Sequence, residues 1–289
     1  MRSSHDFDLR RELAVWRSPT AIDVTRLLFW SWYEPRNFGD WIGPYLFEAI
    51  TGLPPIFCPR EKVANFGCMM TVGSILRHLT HNDCVAVWGS GIISLSDVFK
   101  RPKVVHAVRG PLTRQRFLAL GYECPEVFGD PAILLPDFYQ PERREPDIPF
   151  GFIPHFVDRH LFVDNRNCRV IDPTLPIERV IDKIVTCRMT LSSSLHGLIV
   201  SHAFGIPAVW VRPVNQIDGD NAKFHDYLLS VGADTRPLAI DGLGEQALRA
   251  IERTATLPDH AALRESLRRS CPFRASASTM LNSKHGTQK

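Results

Sequence analysis

Short apolar segments alternate with amphipathic ones along most of the chain, and turns rich in glycine or proline separate them. Apolar runs bounded by turn residues are typical of buried strands, and apolar residues that recur every three or four positions are typical of helices. The predicted strands are 26–32, 65–72, 84–88, 104–108, 150–153, 169–171, 189–191 and 208–211, and the predicted helices are 41–52, 114–120, 177–185, 195–203, 223–232, 245–253 and 261–269. Strands that alternate with helices predict an α/β fold with doubly wound parallel sheets.

A proline-rich and charged stretch divides this pattern into two halves. Residues 136–149 contain prolines 136, 141, 146 and 149 and the mixed-charge run Glu142–Arg143–Arg144–Glu145, a composition typical of a linker. A chain of 289 residues also exceeds what one hydrophobic core usually serves. We therefore predict two doubly wound domains, 1–140 and 141–273, and a flexible tail, 274–289.

Composition limits which kinds of partner the protein can bind and indicates where in the cell it works. A net charge of +3 without a basic block argues against a nucleic-acid partner and favours small anions or an anionic membrane surface only weakly. The longest apolar run, near 203–211, is about half of what a transmembrane helix needs. The seven cysteines are scattered and contain no C-x-x-C pair, so no disulfide framework, zinc site or other metal site is indicated. The charged first thirty residues do not resemble a signal peptide, and we expect a cytoplasmic protein that is either free or peripheral at the cytoplasmic face of the membrane.

A run of three serines before a predicted helix is the strongest candidate for a binding site. Ser192, Ser193 and Ser194 follow a buried strand, and His196 lies in the first turn of the helix that continues through Gly197. Ser193 or Ser194 is expected to cap the helix with its side chain, and free N–H groups at helix N-termini bind anions. A histidine placed there can face a bound anion and donate a proton to it. The alternative is a histidine that packs beneath the next loop.

The first half offers four more junctions between a strand and a helix or loop, one of them at Gly73–Ser74. Asn37 and Gly39 precede Asp40, which is expected either to cap the following helix or to contact a ligand. Gly89 and Ser90 follow another strand. None of these junctions contains a complete dinucleotide-binding or P-loop motif, so neither type of nucleotide site is claimed.

Arg109 directly follows the predicted strand 104–108, and the next predicted helix begins near Pro111. Ligands of open α/β sheets bind at the carboxyl ends of the strands, and a guanidinium matches a carboxylate or phosphate with two parallel hydrogen bonds. We therefore predict that Arg109 binds an anion. A salt bridge that ties two loops together is the alternative.

In the second half, His155 occupies a strand-end position like that of Arg109, and Arg212 follows the strand 208–211. Lys223 and Asp226 are three positions apart and are expected on one face of a helix. As a surface ion pair, they would contribute little stability.

Seven motifs, taken in this order, resemble the polysaccharide pyruvyltransferase family. The resemblance covers about residues 26–273, and the motifs are Asn37-x-Gly39-Asp40, Trp88-Gly89-Ser90-Gly91, Arg109-Gly110-Pro111-Leu112-Thr113, Gly129-Asp130-Pro131-Ala132, Pro154-His155-x-Val157-Asp158, the run from Ser192 to Ile199, and Lys223-Phe224-x-Asp226-Tyr227. Any one of these motifs is weak alone, whereas all seven in order are specific.

The resemblance implies a GT-B-like fold, in which two Rossmann-like domains face a cleft. It also implies an enzyme that moves the enolpyruvyl carbons of phosphoenolpyruvate onto two sugar hydroxyls as a cyclic ketal and releases phosphate. The key arginine and histidine of the family match Arg109 and His196. Several relatives have an arginine where this chain has Ser194, so a second cation is expected from Lys223 or Arg212.

From this resemblance we predict a mechanism with His196 as the acid, Arg109 as an anion ligand and Asp40 as the base, with Asp226 as a second candidate base. The predicted donor ligands are Arg109, Ser192, Ser193, Ser194, His196, Gly197 and Lys223. Further candidate substrate contacts are Asn37, Gly39, Gly89, Ser90, His155, Arg212 and Asp226, with acceptor contacts in the loops 32–36 and 92–97. No cofactor is expected beyond phosphoenolpyruvate as co-substrate.

The expected acceptor is a lipid-linked oligosaccharide at the inner membrane face. Two other functions share these sequence features. A glycosyltransferase that uses a nucleotide sugar would have the same architecture. A non-catalytic protein that binds a glycan or a partner enzyme is the second alternative.

Overall fold

A computed structural model describes residues 26–29, 37–58, 68–80, 85–142, 145–166, 168–212, 219–238, 249, 252–253 and 255–273. Two parallel sheets are present. The first has the order β2-β1-β3-β4-β5 and consists of β1 (Leu27–Phe29), β2 (Ile56–Phe57), β3 (Cys68–Met70), β4 (Val85–Trp88) and β5 (Val104–Ala107). The second has the order β7-β6-β8-β9 and consists of β6 (Ile148–Ile153), β7 (Cys168–Val170), β8 (Cys187–Ser192) and β9 (Ala208–Trp210).

Helices connect and cover these strands. They are α1 (Phe38–Thr51), α2 (Pro111–Ala119), α3 (Ile177–Val185), α4 (Leu195–Ala203), α5 (Ala222–Ser230) and α6 (Ala261–Ser270), and 3₁₀ segments lie at Leu76–His78, Pro131–Asp137 and Phe156–Leu161. The predicted α/β class with parallel sheets is confirmed, because every described strand pair is parallel.

Both sheets reverse their strand order once. In the first sheet, β2 lies on one side of β1 and β3 lies on the other side. In the second sheet, β7 and β8 flank β6 in the same way. In open α/β sheets, the position where the strand order reverses is where ligands bind, at the carboxyl ends of the strands.

One hydrophobic core joins the two halves of the chain. Its buried side chains come from α1 in the first half and from α3 and α4 in the second. Polar contacts cross the same boundary, since the Phe38 N–H donates to the Pro173 carbonyl at 2.8 Å and the Tyr45 hydroxyl donates to Glu178 at 3.0 Å. The division into domains near residue 141 stays a prediction.

The helices 177–185 and 195–203 have the predicted bounds. The two-residue strand β2 and the 3₁₀ segments were not predicted, since such short elements have no periodicity to detect. The tail 274–289, the loop 32–36 and most of the predicted helix 245–253 lie outside the described residues. Within the described part of the chain, no helix is long and apolar enough to cross a membrane.

Candidate active site

The N-termini of α1, α4 and α5 come together at the carboxyl edge of the strands. Gly39 in the first turn of α1 lies against the ring of His196 in the first turn of α4. Lys223 in the first turn of α5 is close enough to lower the pKa of Asp40 in α1. The sequence therefore brings residues from three distant segments into one polar site.

The imidazole of His196 is held in a narrow space. Its side chain is 10% exposed, and a Cβ atom at position 39 would lie 2.3 Å from the ring atom Nδ1. Only glycine fits at that position without displacing the ring. Gly39, which was predicted as a substrate contact, thus has an observed role in admitting the histidine.

Asp130 faces the other nitrogen of that ring. His196 Nε2 lies 3.6 Å from Asp130 Oδ2, and the carboxylate is fully buried. Oδ1 of Asp130 accepts the N–H of Ala132 at 3.0 Å and so caps the 3₁₀ segment Pro131–Asp137. Neither Nε2 nor Oδ2 has a hydrogen-bond partner among the residues that the structure describes. Within the described part of the chain, each of the two atoms therefore has the other as its polar partner and makes no hydrogen bond elsewhere.

Asp130 was not among the predicted site residues, although its Gly-Asp-Pro motif was. A capping aspartate explains that motif by itself, and nothing local in the sequence indicates that the second carboxylate oxygen meets a histidine 66 positions later. Tyr227 was missed for a similar reason. Its hydroxyl lies 2.8 Å from His202 Nδ1, and burial together with the charge of Asp130 raises its pKa.

Asp40 lies in the first turn of α1, where it contacts the capping residue Asn37. Asn37 caps α1, since its side-chain oxygen accepts the Gly39 N–H at 3.3 Å, and its amide nitrogen donates to Asp40 Oδ2 at 3.2 Å. Burial raises the pKa of Asp40 to about 6, against the lowering effects of His196, Asn37 and Lys223. The carboxyl therefore changes its protonation state near neutral pH.

His155 and Lys223 form the side of the site that belongs to the second sheet. The His155 N–H donates to Ser193 Oγ at 2.9 Å, which joins the loop after β6 to the loop after β8. Burial, assisted by the charge of Lys223, lowers the pKa of His155 to about 4 although Asp158 raises it. His155 is consequently a neutral imidazole at physiological pH.

The three serines have different roles. Ser192 is buried, and its Oγ lies 3.0 Å from the Ile153 carbonyl and 2.7 Å from the Ser194 carbonyl, while it accepts the Ser194 N–H at 3.1 Å. Ser194 occupies the N-cap position of α4, as predicted, but its side chain makes no capping hydrogen bond, so the predicted cap interaction is wrong. Because the Ser194 side chain does not accept from the first-turn N–H groups of α4, another acceptor can bind them. Gly197 in that turn packs against Ser192 Oγ.

Arg109 and Asp226 form a fully buried ion pair. Arg109 Nε donates to Asp226 Oδ2 at 3.0 Å, and its terminal nitrogens donate to Ser74 Oγ and to the Ile92 carbonyl, both at 2.6 Å. Thr113 completes the arrangement, since its N–H and hydroxyl donate to Asp226 at 2.9 and 2.6 Å. The salt bridge that ties loops together is thus present, and direct binding of an anion by Arg109 stays a prediction.

The expected surface pair between Lys223 and Asp226 is wrong. Asp226 is fully buried and accepts from Arg109 and Thr113 instead, because α5 turns this face towards the first sheet. The approach is so close that a Cβ atom at position 110 would lie 2.0 Å from the Asp226 carbonyl oxygen. The glycine of the Arg-Gly-Pro motif therefore admits α5.

The remaining predicted contacts are mostly engaged with the protein. Ser90 is fully buried and donates to the Gly73 carbonyl at 2.9 Å, and Gly89 packs against Pro131. Arg212 is exposed just beyond β9. Substrate contacts by these three residues stay predictions. Among the described side chains, no group of three or more histidines, cysteines, aspartates or glutamates is arranged to hold a metal ion.

Comparisons with known proteins identify the family. The sequence profile of the polysaccharide pyruvyl transferase family matches residues 76–213, a range that includes Arg109, Asp130, His155 and His196. An uncharacterized protein, L143, of Acanthamoeba polyphaga mimivirus is 31% identical over 68% of this chain and 72% of its own length. The succinoglycan biosynthesis protein ExoV of Rhizobium meliloti is 26% identical over 70% of this chain and 63% of its own length, so this chain spans less than two thirds of that relative. No solved structure matches the chain. The chain belongs to the polysaccharide pyruvyl transferase family and is therefore a transferase.

Proposed function

We propose that the protein transfers the three-carbon unit of phosphoenolpyruvate onto two hydroxyls of a polysaccharide sugar, forms a cyclic ketal and releases phosphate. The observation that supports it most is the buried pair of His196 and Asp130, with Nε2 and Oδ2 3.6 Å apart, at the N-terminus of α4, where the N-cap side chain makes no capping hydrogen bond and an anion can bind the first-turn N–H groups. The family membership supports the transfer of a pyruvyl group. A GT-B-like arrangement of the two sheets around this site is part of the proposal.

The donor carries a carboxylate and a phosphate, so its site needs cations and N–H donors. We assign this role to Lys223, to the first-turn N–H groups of α4 and to the hydroxyls of Ser193 and Ser194. Arg109 acts mainly through Asp226, because the pair fixes α5 and with it Lys223. A bound donor would lie beside His196, which follows Ser194 by two positions.

The proposed reaction needs one acid and one base at the first step. His196 donates its proton to the methylene carbon of the donor, which becomes a methyl group. A sugar hydroxyl forms a bond to the adjacent carbon and loses its proton to Asp40, whose pKa of about 6 suits that task. The carboxylate of Asp130, 3.6 Å from Nε2, holds the ring of His196 in one orientation.

The second step closes the ketal. A second hydroxyl attacks the same carbon, the bond from that carbon to the phosphate oxygen breaks, and phosphate leaves with the electron pair. The proton of the second hydroxyl returns to His196, and the proton held by Asp40 passes to the departing phosphate. Both side chains regain their starting states, so the cycle balances.

We also propose that the acceptor is a lipid-linked oligosaccharide and that the reaction takes place in the cytoplasm, where phosphoenolpyruvate is available. The described cysteines, which are all free thiols, are compatible with that compartment. No cofactor beyond the donor is required for the proposed steps.

The test is donor-dependent transfer by the purified full chain. Phosphoenolpyruvate and a panel of glycosides are expected to yield phosphate and a pyruvyl ketal detected by mass spectrometry. His196→Asn should abolish the product, whereas His160→Asn, at an exposed histidine, should not. Nucleoside diphosphate released from a nucleotide sugar would instead support a glycosyltransferase. Donor binding without any product would support a non-catalytic protein.

A further inference from the structure

Segment 95–104, which leads from the carboxyl end of β4 to the start of β5, presents aliphatic and basic side chains to solvent. Leu95 is 54% and Val98 71% exposed, and Lys100, Arg101 and Lys103 are exposed beside them. The one acidic residue of the segment, Asp97, is turned inward and accepts the Ile93 N–H at 2.8 Å. The outer surface of the segment is therefore apolar and positively charged.

This surface is held in place by buried neighbours. Phe99 is 3% exposed and packs on Phe117 with ring centroids 4.8 Å apart. The N–H groups of Lys100 and Lys103 donate to the carbonyls of Leu79 and Val85 at 2.9 and 2.8 Å. The backbone is thus fixed to the first sheet, while the side chains of Val98 and the three cations stay outside.

Segment 95–104 also begins beside the active site. The Leu95 N–H donates to Asp220 Oδ2 at 3.0 Å, and Asp220 Oδ1 accepts the N–H of Ala222 at 3.1 Å. Lys223, the next residue of α5, contributes to the electrostatics of Asp40 and His155. The Leu95 end of segment 95–104 therefore lies near the site, whereas Lys103, bonded to the first residue of β4, lies towards the amino edge of the sheet.

We propose that segment 95–104 docks on an anionic lipid bilayer. Aliphatic side chains enter the interface between headgroups and acyl chains, and lysine and arginine bind anionic headgroups, so the two kinds of side chain match the two layers of that surface. Complementary charge favours the bilayer over a second copy of this basic surface. Delivery of a lipid-linked sugar to the site by this docking rests on the proposed function, whereas the docking itself does not.

Vesicle flotation with the full chain tests the docking. The protein should float with vesicles of phosphatidylcholine and phosphatidylglycerol, stay in solution with phosphatidylcholine alone, and dissociate as salt is raised. The triple variant Lys100→Gln/Arg101→Gln/Lys103→Gln should weaken partitioning by about 100-fold, since each basic residue is worth roughly fivefold at an anionic surface. Val98→Ser should weaken it by about threefold to tenfold.

The matched control is Arg166→Gln/Arg188→Gln/Arg269→Gln, which removes the same charge at three exposed positions elsewhere. An equal loss in this control, or a wild-type protein that does not float with anionic vesicles, would overturn the proposal. So would a dimer in sedimentation velocity that Val98→Ser converts to a monomer, because segment 95–104 would then bind a second copy.

Turnover of a soluble glycoside separates this proposal from the proposed function. The triple variant of segment 95–104 should keep wild-type turnover in solution while losing vesicle binding. If the wild-type protein did not turn over phosphoenolpyruvate, the proposed function would be wrong. The vesicle-binding result would still test the docking.

Discussion

Nε2 of His196 and Oδ2 of Asp130 lie 3.6 Å apart, and both atoms are buried without a second partner among the described residues. A histidine of α4 and the capping residue of the segment Pro131–Asp137 thus form a pair that joins the two halves of the chain. The pair gives the imidazole a fixed orientation and a negative neighbour, which a proton donor needs.

Asp130→Asn should lower turnover at neutral pH by about 100-fold or more, the size of a typical general acid–base contribution. The amide oxygen can still accept the Ala132 N–H, so the circular dichroism spectrum should stay unchanged. Steady-state phosphate release checks the rate. Asp147→Asn, at an exposed carboxylate, is the control, and equal activity of both variants would remove Asp130 from the mechanism.

Asp40 should control the acid limb of the pH profile. Because its pKa is raised to about 6, the base form is lost as pH falls through 6, and turnover should fall with it. A profile that stays flat between pH 5 and 8 would contradict the assignment of Asp40 as the base.

The same shift predicts an effect on stability. The folded protein binds a proton on Asp40 more tightly than the unfolded chain does, so Asp40 lowers stability as pH rises from about 4 to about 6 and keeps it lowered above that range. Asp40→Asn should therefore raise the free energy of unfolding at pH 8 by about 2–3 kcal/mol and have little effect below pH 4. Urea unfolding at both pH values measures this. A variant that is less stable than the wild type at pH 8 would show that the ionised carboxylate is favourable in the folded state.

Arg109 and Asp226 should behave as one structural unit. Asp226→Asn or Arg109→Met leaves one charge of a fully buried pair without its partner, which typically costs about 3–5 kcal/mol. The double variant Arg109→Met/Asp226→Leu should cost clearly less than the sum of the single changes. Additive effects in urea unfolding would contradict the coupling, and a loss of donor affinity confined to Arg109→Met would instead support direct anion binding.

Lys223→Met should raise the pKa of His155 above its value of about 4, because the ammonium lowers it. Affinity for phosphoenolpyruvate should fall at the same time, by about tenfold or more for one lost charge-assisted contact. Proton resonances of the His155 ring followed through a pH titration check the first effect, and calorimetric titration checks the second. An unchanged donor affinity would remove Lys223 from the donor site.

The sequence was sufficient for much of the fold because the strands and helices are apolar at the expected spacing, as in α3 and α4. It was also sufficient to place His196 and Asp40 at helix N-termini. It was not sufficient for the pairs across the site. Whether Asp226 faces Lys223 or Arg109 depends on how α5 packs against the first sheet, and a helix with buried residues on several sides does not indicate which side that is. Asp130 could not be recognised either, because its partner His196 lies in the other half of the chain.

We expect a three-carbon unit to pass from phosphoenolpyruvate to a sugar beside His196. The most direct measurement uses donor labelled in that three-carbon unit, an acceptor glycoside, and the wild-type protein in parallel with His196→Asn. We predict that the label appears on the sugar as a ketal in step with phosphate release, and that the variant transfers none. Label that never reaches the sugar with the wild-type protein, or that reaches it equally well with the variant, would contradict the account.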